Sequence, residues 1–163
     1  MQFKCKTLAL KSILAFICLM LFSAISSANY KDFIENKFWG DLYKNGGKTF
    51  FCNKRFSKQT PLLAASYIYP SAQAQEFLQC GTKRQCLRSD ERYVEIMSDL
   101  HNIVAADSYF EFKRKRAQFG NLDRSIEAND CGIRKKLHII EPPDSLKGDI
   151  ARILFYMHDR YKL

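Results

Sequence analysis

Histidine is scarce in this chain, with three in 163 residues, at positions 101, 138 and 158. They do not cluster with the cysteines, and no CxxC pair occurs, so the ligand spacings of a structural zinc site are missing. Internal repeats, low-complexity tracts and interdomain linkers are also absent. The length then fits one domain. No apolar run reaches the ~20 residues of a comfortable transmembrane helix. Apolar residues make up 47% and charged residues only 26%, which excludes a disordered tail protein. Acidic residues are outnumbered 17 to 26, and the net charge of +9 points to an anionic partner without naming one.

The N-terminus reads as an export signal. Lys4, Lys6 and Lys11 form a positive region, residues 12–25 are nearly all apolar, and Ser26-Ser27-Ala28 supplies small residues for a peptidase. No basic stop-transfer cluster follows directly. The expected division is a signal peptide over residues 1–28 and one domain over 29–163, delivered to the periplasm or outside the cell. The signal carries three lysines and no acid, so the domain keeps a charge of +6.

Cys5 and Cys18 leave with the signal, and Cys52, Cys80, Cys86 and Cys131 remain. An even count in an exported domain predicts two disulfides, with three connectivities open. The closeness of Cys80 to Cys86 favours a local loop, which leaves Cys52 with Cys131 as a long-range staple.

Hydrophobic periodicity predicts a helix over 29–43, with Phe33, Ile34, Phe38 and Leu42 on one face, stopped by Asn45-Gly46-Gly47. A short strand over 48–52, a loop over 53–63 and a few helical turns over 71–78 follow. Ser89 offers an N-cap for a helix with Tyr93, Ile96, Met97 and Leu100 inward, ending near His101-Asn102. On that helix Glu95, Asp99 and Asn102 would share a polar face. Residues 109–119 read as a strand or hairpin arm carrying the cations Lys113, Arg114, Lys115 and Arg116. Pro142-Pro143 precede a helix with Ile150, Ile153, Leu154, Met157 and Tyr161 at helical spacing. The fold class is α+β, a single compact mixed domain.

Three segments carry a resemblance. The tail EPPDSLKGDIARILFYMHDRY (141–161), the stretch DLHN (99–102) after a cysteine-bounded loop, and the opening helix leading through Gly46 to Cys52 follow one another in collinear order. Together they resemble the bacterial endonuclease I family, secreted or periplasmic nucleases that cut DNA and RNA with little sequence preference. The resemblance implies a disulfide-stapled domain with a ββα-metal-like core. It further implies a water-activating His in an E-H-x-x-P stretch, and a divalent ion, Mg or Ca, held by the preceding Glu and the Asn of DLHN. A cation from the cysteine loop would support the transition state. Phosphodiester hydrolysis needs such a division between activated nucleophile and positive charge.

The chain departs from that pattern where the chemistry sits. The stretch matching E-H-x-x-P is Ser66-Tyr67-Ile68-Tyr69-Pro70, and no EH pair occurs anywhere. Tyr67 takes the general-base position, where a phenol with pKa near ~10 stays protonated at neutral pH. Ser66 takes the carboxylate ligand position, a poor exchange for a hard cation. The loop cation is Lys83, followed by Arg84; lysine keeps the charge and loses the bidentate fork. Beyond DLHN, the family's Pro and following Asn correspond to Ala105 and Glu111.

The candidate residues are therefore Asn102, with Asp99 as a substitute carboxylate, for a metal; His101 as a replacement base; and Lys83 and Arg84 at the phosphate. The run Lys113 to Arg116, with Tyr109, Phe110, Phe112 and Phe119 nearby, is a candidate backbone grip or else a solvated hairpin. Structural roles compete at each position: Asn102 as a helix C-cap, Asp99 as a solvent-facing acid, His101 as a hydrogen-bonding residue. Two functions stand side by side, a nonspecific metal-dependent nuclease and a catalytically inactive relative kept as a binding protein. The expected partners are DNA and RNA, with no membrane after signal cleavage and a monomeric state.

Overall fold

The computed structural model describes residues 30–114 and 116–163. The expected signal, residues 1–28, lies outside the described residues, as does Lys115. In chain order the elements are α1 (Phe33–Leu42), β1 (Gly47–Lys48), β2 (Arg55–Phe56), β3 (Leu63–Tyr67), α2 (Ser71–Leu78), α3 (Lys83–Ser89) and α4 (Glu91–Met97). A 3₁₀ turn (Leu100–Asn102) leads into β4 (Ile103–Asp107), then α5 (Ser108–Arg114), β5 (Gln118–Phe119), β6 (Arg134–Lys136), β7 (Ile139–Glu141) and α6 (Asp144–Tyr161).

The centre is an antiparallel pair, β3 with β4, in register from Leu63 opposite Asp107 to Tyr67 opposite Ile103. Strand alternation sends successive side chains to opposite faces, and here both faces are covered. Tyr67, Ile103 and Ala105 join Phe38, Tyr93, Ile96, Met97 and Met157 in one cluster. Ile68, Val104 and Ala106 join Phe51, Phe110, Ile140 and Ile150 in the other. Helix α5 leaves β4 without a loop, so β3, β4 and α5 form the expected ββα unit. Two smaller sheets, β1–β2 and β5–β7–β6, flank it.

Several elements differ from the sequence expectation. Residues 109–114 are helical rather than strand. The Asp107 carboxylate accepts from the Tyr109 and Phe110 amides at 3.0 and 3.1 Å, a helix cap that overrides the β preference of the aromatics. Helix α4 is capped by Asp90, which accepts from the Tyr93 amide at 2.8 Å; Ser89 instead ends α3. Helix α4 also stops at Met97, because Asp99 accepts from the His101 amide and starts the 3₁₀ turn. The shared face predicted for Glu95, Asp99 and Asn102 therefore does not form. Helix α1 is wound as a π-helix, which buries Phe38 and Trp39 and turns Leu42 outward.

Both predicted disulfides form, Cys80–Cys86 with Cα atoms 5.0 Å apart and Cys52–Cys131 at 4.8 Å. The first encloses more than a loop, since Cys86 already lies in α3. A Thr82/Gln85 capping box starts that helix. Gly46, with φ +78°, is the turn after α1; a Cβ there would sit 2.2 Å from the Phe56 carbonyl oxygen, so only glycine fits.

Candidate functional site

The β3–β4–α5 unit brings Ser66 and Glu111 together. Ser66 is fully buried on β3, and its hydroxyl donates to Glu111 Oε2 at 2.5 Å. Glu111 sits in α5 one turn before Arg114, whose Nε donates to the same oxygen at 3.1 Å. Arg114 also donates to the Tyr67 carbonyl. Its guanidinium lies 5.9 Å from the Phe51 ring and 5.8 Å from the Phe119 ring. Buried charge survives only when paired and hydrogen-bonded; Glu111 supplies the pairing, and only Arg114 Nη1 is left without a hydrogen-bond partner among the described residues.

Tyr67 is directed to the opposite face. Its hydroxyl donates to the Met97 carbonyl at 3.1 Å and lies 2.6 Å from the Tyr30 hydroxyl. Burial, with the neighbouring Tyr30 adding to it, pushes its pKa far above the ordinary phenol value. Such a group holds its proton and cannot activate water at neutral pH. Lys83, at the start of α3 in the disulfide loop, places Nζ 5.3 Å from the Tyr30 ring centroid and 5.7 Å from that of Tyr67. Arg84 beside it is exposed.

The residues of DLHN serve packing. Asn102 is fully buried; its Oδ1 accepts from the Tyr69 amide at 2.7 Å and its Nδ2 donates to the Tyr69 carbonyl at 3.2 Å. Both ends of the side chain are spent on the Tyr69 backbone, two residues past the end of β3. Asp99 is likewise committed: Oδ1 takes the His101 amide and ring Nδ1, each at 2.9 Å, and Oδ2 takes the hydroxyls of Tyr156 and Tyr161, each at 2.9 Å. It is an internal clamp on α6, not a solvent-facing acid. His101 is exposed, stacks on Tyr156 with ring centroids 4.5 Å apart, and belongs to this clamp. The tail motif is explained in the same way, since Glu141 accepts from the Leu122 amide and from Lys147 at 3.2 and 3.0 Å.

The basic run divides. Helical rather than strand periodicity buries Arg114 and leaves Lys113 exposed, its Nζ 5.2 Å from the Tyr109 ring, while Arg116 is exposed in the turn after the helix. Arg114 is thus withdrawn from the expected grip, and Lys115 lies outside the described residues. Glu111 is the residue that sequence reading undervalued. The signal was available: an Asp107 cap places Glu111 and Arg114 three apart on one helical face.

The Endonuclease I family matches residues 47–163. The chain belongs to the endonuclease I family. Among curated relatives, Endonuclease-1 of Buchnera aphidicola subsp. Acyrthosiphon pisum (strain APS) is 34% identical over 86 residues, covering 51% of this chain and 34% of the relative. Endonuclease-1 of Buchnera aphidicola subsp. Baizongia pistaciae (strain Bp) is 31% identical over 86 residues, covering 50% and 35%. The aligned part of the chain spans about a third of the length of these curated relatives.

Nucleases of the endonuclease I family generally use a divalent metal, and the donors here do not fit one. Glu111 is the one carboxylate of the Ser66–Glu111–Arg114 group, and its Oε2 already accepts from a hydroxyl and a guanidinium. A divalent cation would stand against the positive Arg114 and lack the second carboxylate that hard ions favour. Among the described residues no group of three His, Cys, Asp or Glu side chains is placed to hold a metal.

Proposed function

We propose that this endonuclease I family protein is exported and binds nucleic acid through its phosphates without cleaving it by the base-and-metal route of the family. The observation that carries the reading is Lys83, held by the Cys80–Cys86 loop over the Tyr67 ring, with a protonated phenol beneath it. The site retains the phosphate cation and lacks both the activating base and the paired carboxylates. Arg84, Lys113 and Arg116 extend the exposed positive surface, and DNA and RNA are the partners that chemistry accepts. Phosphate contacts recruit either polymer without reading its sequence.

Supercoiled plasmid and RNA, incubated with the oxidised protein in Mg²⁺, in Ca²⁺ and in chelator, test the reading. Binding that weakens steeply with salt, with no nicking in any condition, is the expected result. Metal-dependent nicking by the native sequence overturns the non-cleaving part. Salt-insensitive or absent binding overturns the nucleic-acid part.

A further inference from the structure

We propose that two adjoining clefts between α2 and β5 form a site for the unpaired bases of a single nucleic-acid strand, a proposal that rests on the phosphate-binding reading and adds base preference to it. The larger cleft, about 640 Å³, is lined by the glutamines 73, 75, 79 and 118, by the opposite charges of Glu76 and Arg116, and by Gly81. Its volume lies within the ~300–1,000 Å³ of small-molecule sites. The smaller, about 290 Å³, is walled by Tyr69, Pro70 and Phe119 and shares Gln73 and Gln118 with the first.

Each carboxamide offers a donor and an acceptor in one plane, the pattern that matches the edge of a nucleobase. Gln75 is already committed to the Ser71 carbonyl and the Tyr93 hydroxyl. Gln73 and Gln118, on the wall common to both clefts, are the residues placed to read a base. Tyr69 and Phe119 supply aromatic surface against which a neighbouring base stacks. Asn102 fixes the Tyr69 backbone from behind, so that wall is held in place.

Arg116 provides the cation for the intervening phosphate, which a neutral sugar would leave unused. Gly81, which lines the larger cleft, belongs to the same disulfide loop as Lys83. A base in a duplex has its edge engaged and its faces stacked, so only an unpaired or extruded base enters. Glutamine pairs best with adenine, donating to N7 and accepting from the N6 amino group.

Fluorescence anisotropy of the oxidised protein with short oligodeoxyadenylate and oligodeoxythymidylate, across a salt series, tests the proposal. The adenylate strand is expected to bind roughly tenfold more tightly, the scale of one good bidentate contact. Gln73→Ala/Gln118→Ala, and the exposed single change Gln118→Ala, are expected to erase or shrink the preference while the salt slope stays the same. Arg116→Gln is expected to weaken both strands alike. Equal affinity of the native protein for the two strands, or a preference that survives the double substitution, overturns the base site and leaves phosphate binding standing. Absence of binding to either strand overturns both.

Discussion

Ser66 and Glu111, 45 positions apart in sequence, share a 2.5 Å hydrogen bond across the ββα unit, and the same carboxylate oxygen neutralises Arg114. Ser66, Glu111 and Arg114 thus form one internal network. Glu111→Ala leaves the buried Arg114 charge uncompensated, and a loss of about 3–5 kcal/mol is expected. Ser66→Ala removes one hydrogen bond to a charged group and is expected to cost about 1.5–3 kcal/mol. Urea unfolding of each variant measures both; a stability unchanged in Glu111→Ala contradicts the network.

Asn102→Ala separates a structural role from a ligand role. It strands the buried Tyr69 N–H and C=O, each worth about 1–3 kcal/mol when left unsatisfied. Marked destabilisation is expected, with Mg²⁺ and Ca²⁺ binding by calorimetry the same as in the native protein. A stable variant with altered metal binding would return Asn102 to the ligand set.

Tyr67 is expected to ionise only as the fold opens. Its folded pKa is raised, chiefly by burial, so the stability it contributes is full below the unfolded value of ~10 and is lost as pH rises beyond it. Ultraviolet titration of the tyrosines should show one phenol that ionises together with loss of structure and disappears in Tyr67→Phe. That variant is expected to bind oligonucleotides as the native protein does, because the phenol performs no proton transfer.

Acid reverses the sign. Burial pushes the Asp99 carboxyl up, but the hydrogen bonds from His101, Tyr161 and Tyr156 outweigh it and hold its pKa below the usual range. Hydrogen bonding from Lys147 does the same for Glu141. A depressed carboxyl contributes stability above its unfolded pKa of about 4 and loses it as pH falls through the folded value. Thermal melts should therefore decline below about pH 4, and Asp99→Asn should flatten part of that decline.

The disulfides should separate stability from binding. Cys52 and Cys131 span 79 residues, for which chain entropy gives about 4–5 kcal/mol; the six-residue span of Cys80–Cys86 gives about 2 kcal/mol. Paired alanine substitution at 52 and 131 should lower the melting temperature more. The 80/86 pair should have the larger effect on oligonucleotide affinity, because it frees Lys83.

Sequence reading located what local chemistry dictates. The Pro142-Pro143 entry and the stripe through Ile150 and Met157 made α6 visible, and the closeness of Cys80 to Cys86 favoured, among three open connectivities, the pairing that forms. It misread 109–114 because aromatic content and a single aspartate cap point in opposite directions, and the cap wins. It set a metal role for Asn102 and Asp99 beside structural ones, because a motif marks residues without saying which way they face. Their partners, Tyr69, Tyr156 and Tyr161, lie 33, 57 and 62 positions away, distances that no local pattern encodes. Glu111 was visible only through the register of a helix whose start had been misplaced.

Adjacent on one strand, Ser66 and Tyr67 are housed in separately packed compartments. Arg114 nevertheless joins them, since it pairs with the carboxylate that holds Ser66 and donates to the Tyr67 carbonyl, so an exchange at either position is felt through one guanidinium.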